Sequence, residues 1–177
     1  NYDYTLVSGL AISNRVGAPK WNPNSPVKPG EAYTVKSAEE FKAALDAGKT
    51  EITLAAEGSP YIFTEADVET DATFEVVNGL KIYGEVKDGV YPEFHGMFAI
   101  SGTEGDLGDI VFKNVKFSGV KGDAPQSRGC LLTISGTSTF RSITVKDCIV
   151  DNFSKSVVYG SGAAKGASLV CNGVTVQ

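Results

Sequence analysis

Four short stretches of the chain set an Asn or Asp between two apolar runs. They read Val76-Val77-Asn78-Gly79-Leu80-Lys81-Ile82, Val111-Phe112-Lys113-Asn114-Val115-Lys116-Phe117, Thr144-Val145-Lys146-Asp147-Cys148-Ile149-Val150 and Val170-Cys171-Asn172-Gly173-Val174-Thr175-Val176. The polar residues recur after 36, 33 and 25 positions (78 to 114, 114 to 147, 147 to 172), within the range of one supersecondary unit per repeat. Asn-Gly alone reads as a two-residue hairpin turn. Asn114-Val115 does not, because a β-branched Val resists positive φ. A role common to all four is one left-handed residue at a bend between two strands. Asn78, Asn114, Asp147 and Asn172 are therefore expected to form a structural ladder, one rung per coil. A second match keeps step with it. Phe98-Ala99-Ile100-Ser101-Gly102-Thr103 resembles Leu132-Thr133-Ile134-Ser135-Gly136-Thr137 at an offset of 34 (100 to 134). Two elements holding their order and spacing point to an all-β chain wound as a parallel β-helix, a solenoid. An antiparallel β-sandwich is the competing architecture.

The bulk properties bound what such a chain can do. At 177 residues it supports one domain with a core and a small appendage. Its net charge is −5 and its Lys and Arg are scattered, which argues against nucleic acid and anionic membrane as partners. No apolar run is long enough to span a bilayer, and no signal peptide is visible. Cys130, Cys148 and Cys171 cannot all pair within one chain and form no metal-ligand spacing; they read as buried apolar fillers. The opening without Met and the ending after an apolar strand fit a β-helix domain that is incomplete at its C-terminus.

Residues 1–32 differ from the rest. Pro19, Pro23, Pro26 and Pro29 around Trp21 break regular structure, so the segment reads as a linker or strap, or as the exit of an upstream domain. Residues 33–177 read as the β-helix. Near its start, Ser37 to Gly48 is the one clear helix. Ser37 and Glu40 form a capping box, Ala38, Phe41, Ala44 and Leu45 share a face, and Gly48 suits the left-handed stop. It is expected to cap one end of the solenoid.

These motifs resemble the pectate-lyase-like superfamily of right-handed parallel β-helices. Tyr33 to Ser37, Phe41, Ala44-Leu45, Ile52-Thr53-Leu54 and Gly58 to Phe63 are similar to its strand, capping helix and first coil. Ile110 to Phe117 is similar to its second strand, asparagine bend and third strand. Phe98 to Ser101 and Leu132 to Ser135 take the place of its first strand. The texture also resembles secreted or surface proteins of gut Bacteroidetes in which such a β-helix follows a small β-sandwich, encoded among glycan-use genes. The resemblance implies an extracellular, periplasmic or cell-surface location. It also implies a substrate groove along the first strand, where lyases use Arg or Lys with carboxylate-bound calcium and hydrolases use clustered Asp.

Catalysis needs charged groups close together with their pKa values pushed apart. With Phe98, Ile100, Leu132 and Ile134 inward, period two turns Ala99, Ser101, Leu131, Thr133 and Ser135 outward, and none titrates. The reading is therefore a non-catalytic polysaccharide- or oligosaccharide-binding domain, monomeric and without a cofactor. A lyase or glycoside hydrolase with its catalytic coils elsewhere, and a structural spacer or adhesin, are the alternatives. Candidate ligand contacts are Asp123 and Arg128, in a polar loop from Lys121 beside the groove, Tyr159, because Val158 aligns with inward Ile134, and Trp21. Glu104, Asp106 and Asp109 offer carboxylates for a weak calcium site. His95 has no evident partner and reads as structural.

Overall fold

A computed structural model describes residues 3–7, 10–14, 33–63, 72–102, 105–121, 124–127, 129–160 and 165–177. The chain divides into two compact units, Asn1–Gly30 and Glu31–Gln177. In the first, β1 (Asp3–Val7) and β2 (Leu10–Asn14) form an antiparallel hairpin.

The second unit is all-β with parallel sheets and, among the described residues, one α-helix. It starts with β3 (Tyr33–Val35), α1 (Ala38–Asp46), β4 (Glu51–Leu54) and β5 (Tyr61–Ile62). Three strands then repeat in order: β6 (Thr73–Glu75), β7 (Lys81–Gly84) and β8 (Glu93–His95), followed by β9 (Met97–Ile100), β10 (Asp109–Lys113) and β11 (Lys116–Ser118). A short antiparallel hairpin of β12 (Val120–Lys121) and β13 (Ala124–Ser127) interrupts the rotation. It resumes with β14 (Cys130–Ile134), β15 (Thr139–Lys146) and β16 (Ile149–Asp151), then β17 (Ser156–Gly160), β18 (Lys165–Asn172) and β19 (Thr175–Val176). Each circuit adds one strand to each of three parallel sheets. These are four-stranded (β6-β9-β14-β17), six-stranded (β3-β4-β7-β10-β15-β18) and five-stranded (β5-β8-β11-β16-β19).

Each sheet sends register columns inward. Ile52, Ile82, Phe112, Val145 and Cys171 align in the six-stranded sheet. Tyr61, Phe94, Phe117, Val150 and Val176 align in the five-stranded one, and Phe74, Phe98, Leu132 and Val158 in the four-stranded one. Alternation along each strand turns the intervening polar residues outward. At the α1 end the columns meet in a cluster of rings. Phe94 lies 4.9 Å from Phe41 of α1, 5.1 Å from Phe63 and 5.6 Å from Phe98, centroid to centroid. At the β17–β19 end the inward slots are open: Cys171 is exposed and Val176 is 66% exposed. Cys130 and Cys148 are buried as expected of fillers, and Cys171 departs from that expectation because no strand follows it in its column among the described residues.

The capping helix forms as its sequence predicts. Ser37 Oγ accepts the Glu40 N–H at 3.2 Å, and Gly48 is left-handed at φ 73°. The reciprocal half differs by one residue, since Glu40 Oε2 accepts from Lys36 N–H at 2.7 Å. Ala38, Phe41 and Ala44 are the buried face.

The ladder needs correction. Lys113 pairs with Lys146, which sets Asn114 beside Asp147, both left-handed at φ 60° and 50°. Lys146 in turn pairs with Asn172, so Gly173 (φ 65°), and not Asn172, stands beside Asp147. On the other side Lys113 pairs with Tyr83, leaving Gly84 beside Asn114. Asn78 precedes β7 at the opposite end of that strand, and the left-handed residue there is Gly79 (φ 72°). Glycine takes the left-handed conformation in Asn-Gly because it lacks a Cβ. In Asn-Val and Asp-Cys the short polar residue takes it instead. The repeat therefore aligns on backbone conformation, and of the four expected rungs only Asn114 and Asp147 are neighbours.

Candidate functional site

The outer face of the four-stranded sheet carries the row Glu75, Ala99, Thr133, Tyr159, one residue per strand in register. Its direction follows from the burial of Phe74, Phe98 and Leu132 beside it. Val158 pairs with Leu132, two residues from the expected Ile134; the shift is even, so Tyr159 still faces outward. It is 50% exposed, and Lys155 Nζ lies 5.8 Å from its ring centroid. Such a contact contributes about 0.5–1 kcal/mol at an exposed site. The half-exposed ring remains accessible beside it.

Glu75 adds an acid that the two-coil reading of this row did not include, because β6 lies one circuit before the matched pair. Its carboxylate is already engaged: Oε1 accepts from Ser101 N–H (2.8 Å) and Gly102 N–H (3.2 Å), and Oε2 from the Ser101 hydroxyl (2.7 Å). These bonds fix the bend after β9. Beside it is a cavity of about 440 Å³, within the size range of small-molecule sites. Buried Val76 and Leu107 give it an apolar wall, and Asn78, Ser101 and Ser138 give it polar groups. Ser138 donates its hydroxyl to Gly102 O at 2.9 Å.

A second constellation lies on the outer face of the five-stranded sheet. His95 Nε2 meets Glu93 Oε1 at 2.7 Å, Lys116 Nζ meets Glu93 Oε2 at 3.0 Å, and Lys116 also reaches Asp151 at 3.6 Å. Burial pushes the Glu93 carboxyl up, but the hydrogen bonds from Lys116 and His95 outweigh it and hold the group below its ordinary value. His95 thus has the acid partner that a linear reading missed. The signal was its i,i+2 spacing from Glu93 on one strand face. Ser118 pairs in register with His95, but its hydroxyl oxygen accepts from Val120 N–H and the residue is 1% exposed. The group therefore offers no accessible nucleophile and works as a charge network tying three strands.

Of the other sequence candidates, Trp21, Asp123, Arg128 and Glu104 lie outside the described residues. The loop expected from Lys121 onward contains the β12–β13 hairpin. Asp106 accepts from Gly108 N–H at 2.9 Å. Asp109 is bound by Arg141 and by Ser142 Oγ, which hold its carboxyl down at about 2. Among the described residues no group of three or more His, Cys, Asp or Glu is placed to hold a metal ion, and no helix is long and apolar enough to cross a membrane. Tyr61 is core: its hydroxyl sits 2.7 Å from Val35 O and 2.9 Å from Ala55 O, and burial raises its pKa to about 12. No family model matches the chain, and no curated protein and no solved structure is significantly similar to it.

Proposed function

We propose that residues 33–177 form a right-handed parallel β-helix of the pectate-lyase-like kind, which binds polysaccharide without cleaving it as part of a secreted or cell-surface protein. The regular rotation of the chain through three parallel sheets supports the fold. The observation that carries the function is the row from Glu75 to Tyr159 on the four-stranded sheet. Its ends are three strand spacings apart, about 14 Å, a length suited to a short oligosaccharide. One end has a half-exposed ring to stack on a sugar face; the other has a cavity with amide and hydroxyl groups to bond sugar hydroxyls. The single acid of the row is held by Ser101 and Gly102 with no second carboxylate beside it in the register, which favours binding over acid–base chemistry.

A shallow site of this kind gives about 4–7 kcal/mol, millimolar to tens of micromolar affinity. The test is a glycan array followed by titration calorimetry on wild type, Tyr159→Ala and Asn78→Ala. Loss of affinity in both variants is the expected result. Binding to no plant, host or microbial glycan would overturn the reading in favour of a spacer. Release of unsaturated uronide, seen as near-ultraviolet absorbance on incubation with pectin, would overturn it in favour of a lyase.

A further inference from the structure

The outer face of the six-stranded sheet carries a pair of uncompensated positive charges. Lys113 on β10 and Lys146 on β15 are register partners, so their backbones are one strand spacing apart, about 4.8 Å. Both side chains point outward, since Phe112 and Val145 next to them are buried. Among the described residues neither ammonium has a hydrogen bond or ion pair. Like charges directly opposite in a sheet are destabilising. The carboxylates of neighbouring outward columns do not relieve them. Glu51 pairs with Lys81 at 3.4 Å, Asp109 is taken by Arg141 and Ser142, and Asp147 next to Lys146 turns its carboxylate toward Gly173. The chain as a whole is acidic, with net charge −5, so the pair is a local feature and no part of a general basic surface. Its column continues as Thr53, Tyr83, Lys113, Lys146, Asn172. The two cations therefore lie between an aromatic ring and an amide.

We propose that this column is a second glycan surface that takes a sulfate ester of a linear polysaccharide between Lys113 and Lys146, with Tyr83 and Asn172 against the adjoining sugars. The inference rests on the glycan reading above and adds a ligand class and a separate face. A single Lys binds a carboxylate well, as Lys116 does Glu93, so the preference for sulfate comes from the pairing of two ammonium groups. An ammonium is a compact charge with three donors, and two of them on adjacent strands can grip a tetrahedral oxyanion from both sides. A carboxylate is matched by the planar fork of Arg, and Arg141 on this sheet is committed to Asp109.

The experiment is calorimetry with dextran sulfate, unsulfated dextran and polygalacturonate on wild type, Lys113→Gln, Lys146→Gln, the double variant and Lys87→Gln as a charge-matched control. Wild type is expected to prefer dextran sulfate over both comparators by at least about tenfold, 1.4 kcal/mol, with affinity falling as salt rises. The double variant should lose that preference and Lys87→Gln should keep it. Without ligand, Lys146→Gln should be at least as stable to urea as wild type, because it relieves the like-charge contact. Equal binding by the double variant, an equal loss in Lys87→Gln, or polygalacturonate binding as tightly as dextran sulfate would overturn the proposal. If neutral glycans still bind in a Tyr159-dependent way while sulfate gives no advantage, the sulfate assignment falls and the glycan reading stands. If no glycan binds, both fall.

Discussion

Replacing Phe94 with Ala should remove the hub of the interior. The side chain is 0% exposed and contacts five other rings: Phe41, Phe63, Phe74, Phe98 and Phe117, at centroid distances of 4.9, 5.1, 5.6, 5.6 and 5.9 Å. Burial of a Phe is worth about 1.5–3 kcal/mol in transfer terms. The cavity left behind brings Phe→Ala losses to about 3–5 kcal/mol. Each ring pair contributes a further 0.5–1.5 kcal/mol or so beyond area. The neighbours come from a helix, from two sheets and from Phe63 just after β5, so they cannot all close on the void, and the loss should fall near the top, about 4–5 kcal/mol. Against a typical domain stability of about 5–15 kcal/mol, that is a large share. With a urea slope of about 2–3 kcal/mol/M, the midpoint should fall by roughly 1.5–2 M. Phe94→Leu keeps most of the volume and should cost about 1–1.5 kcal/mol. Val176→Ala, at the open end of the same register column, should stay within about 0.5 kcal/mol of wild type. Urea titrations followed by far-ultraviolet circular dichroism measure all three. A loss under about 2 kcal/mol for Phe94→Ala, or equal losses for Ala and Leu, would refute the picture of a ring cluster that cannot collapse.

At the bend, Asn114→Ala should cost about 1–2 kcal/mol, because Ala lacks the short polar side chain that lets Asn sit in the left-handed region, while Asn114→Gly should be close to neutral in the same titration. Native alkylation followed by mass spectrometry should label Cys171 quickly and leave Cys130 and Cys148 unmodified until denaturant is added, because burial raises both buried thiols; rapid labelling of Cys148 would mean that its strand face is misassigned. On the acid side, Glu93 and Asp109 have folded pKa values below their ordinary ones. The stability they supply is present above the unfolded carboxylate values, near 4, and is lost as pH falls through the folded values, which for Asp109 is about 2. Glu93→Gln and Asp109→Asn should each flatten the loss of stability on acidification, and an unchanged acid limb in both would contradict these pairings.

The strand order was legible from the two motifs that recur in step, and the direction of most side chains from period-two alternation. Phe98, Ile100 and Leu132 are buried as that alternation requires, but Leu131, expected outward, is buried in the same core. The helix was legible from Ser37 and Phe41 for the same local reason. What failed was register across coils, where identical residue types gave a misleading alignment. Asn172 looks like Asp147, yet the conformational equivalent is Gly173, a distinction that lies in φ and not in polarity. The charged constellations were hidden for a further reason. Glu93 meets Lys116 across 23 residues, and Lys113 meets Lys146 only once the register is known. Glu75 was missed because its strand, only three residues long, carries too little pattern to align.

The rotation through three sheets fixes how far apart in sequence any two touching strands lie. Tyr61 and Phe94, Phe98 and Leu132, and Val145 and Cys171 are separated by 33, 34 and 26 positions (61 to 94, 98 to 132, 145 to 171). Each pairing therefore closes a loop of the same order of length, and the entropy of closure grows only with the logarithm of that length. Adding a circuit to such a stack costs about as much as adding the one before it. Assembly is then expected to spread outward from the first circuit able to hold itself together, which the rings around Phe41 and Phe94 place at the α1 end. Loosening should run in the opposite direction, beginning at β17–β19, where Leu169 and Val176 already face solvent. The chain's kinetics would thus be graded along its axis, with local opening free energies that rise from the open end toward the helix.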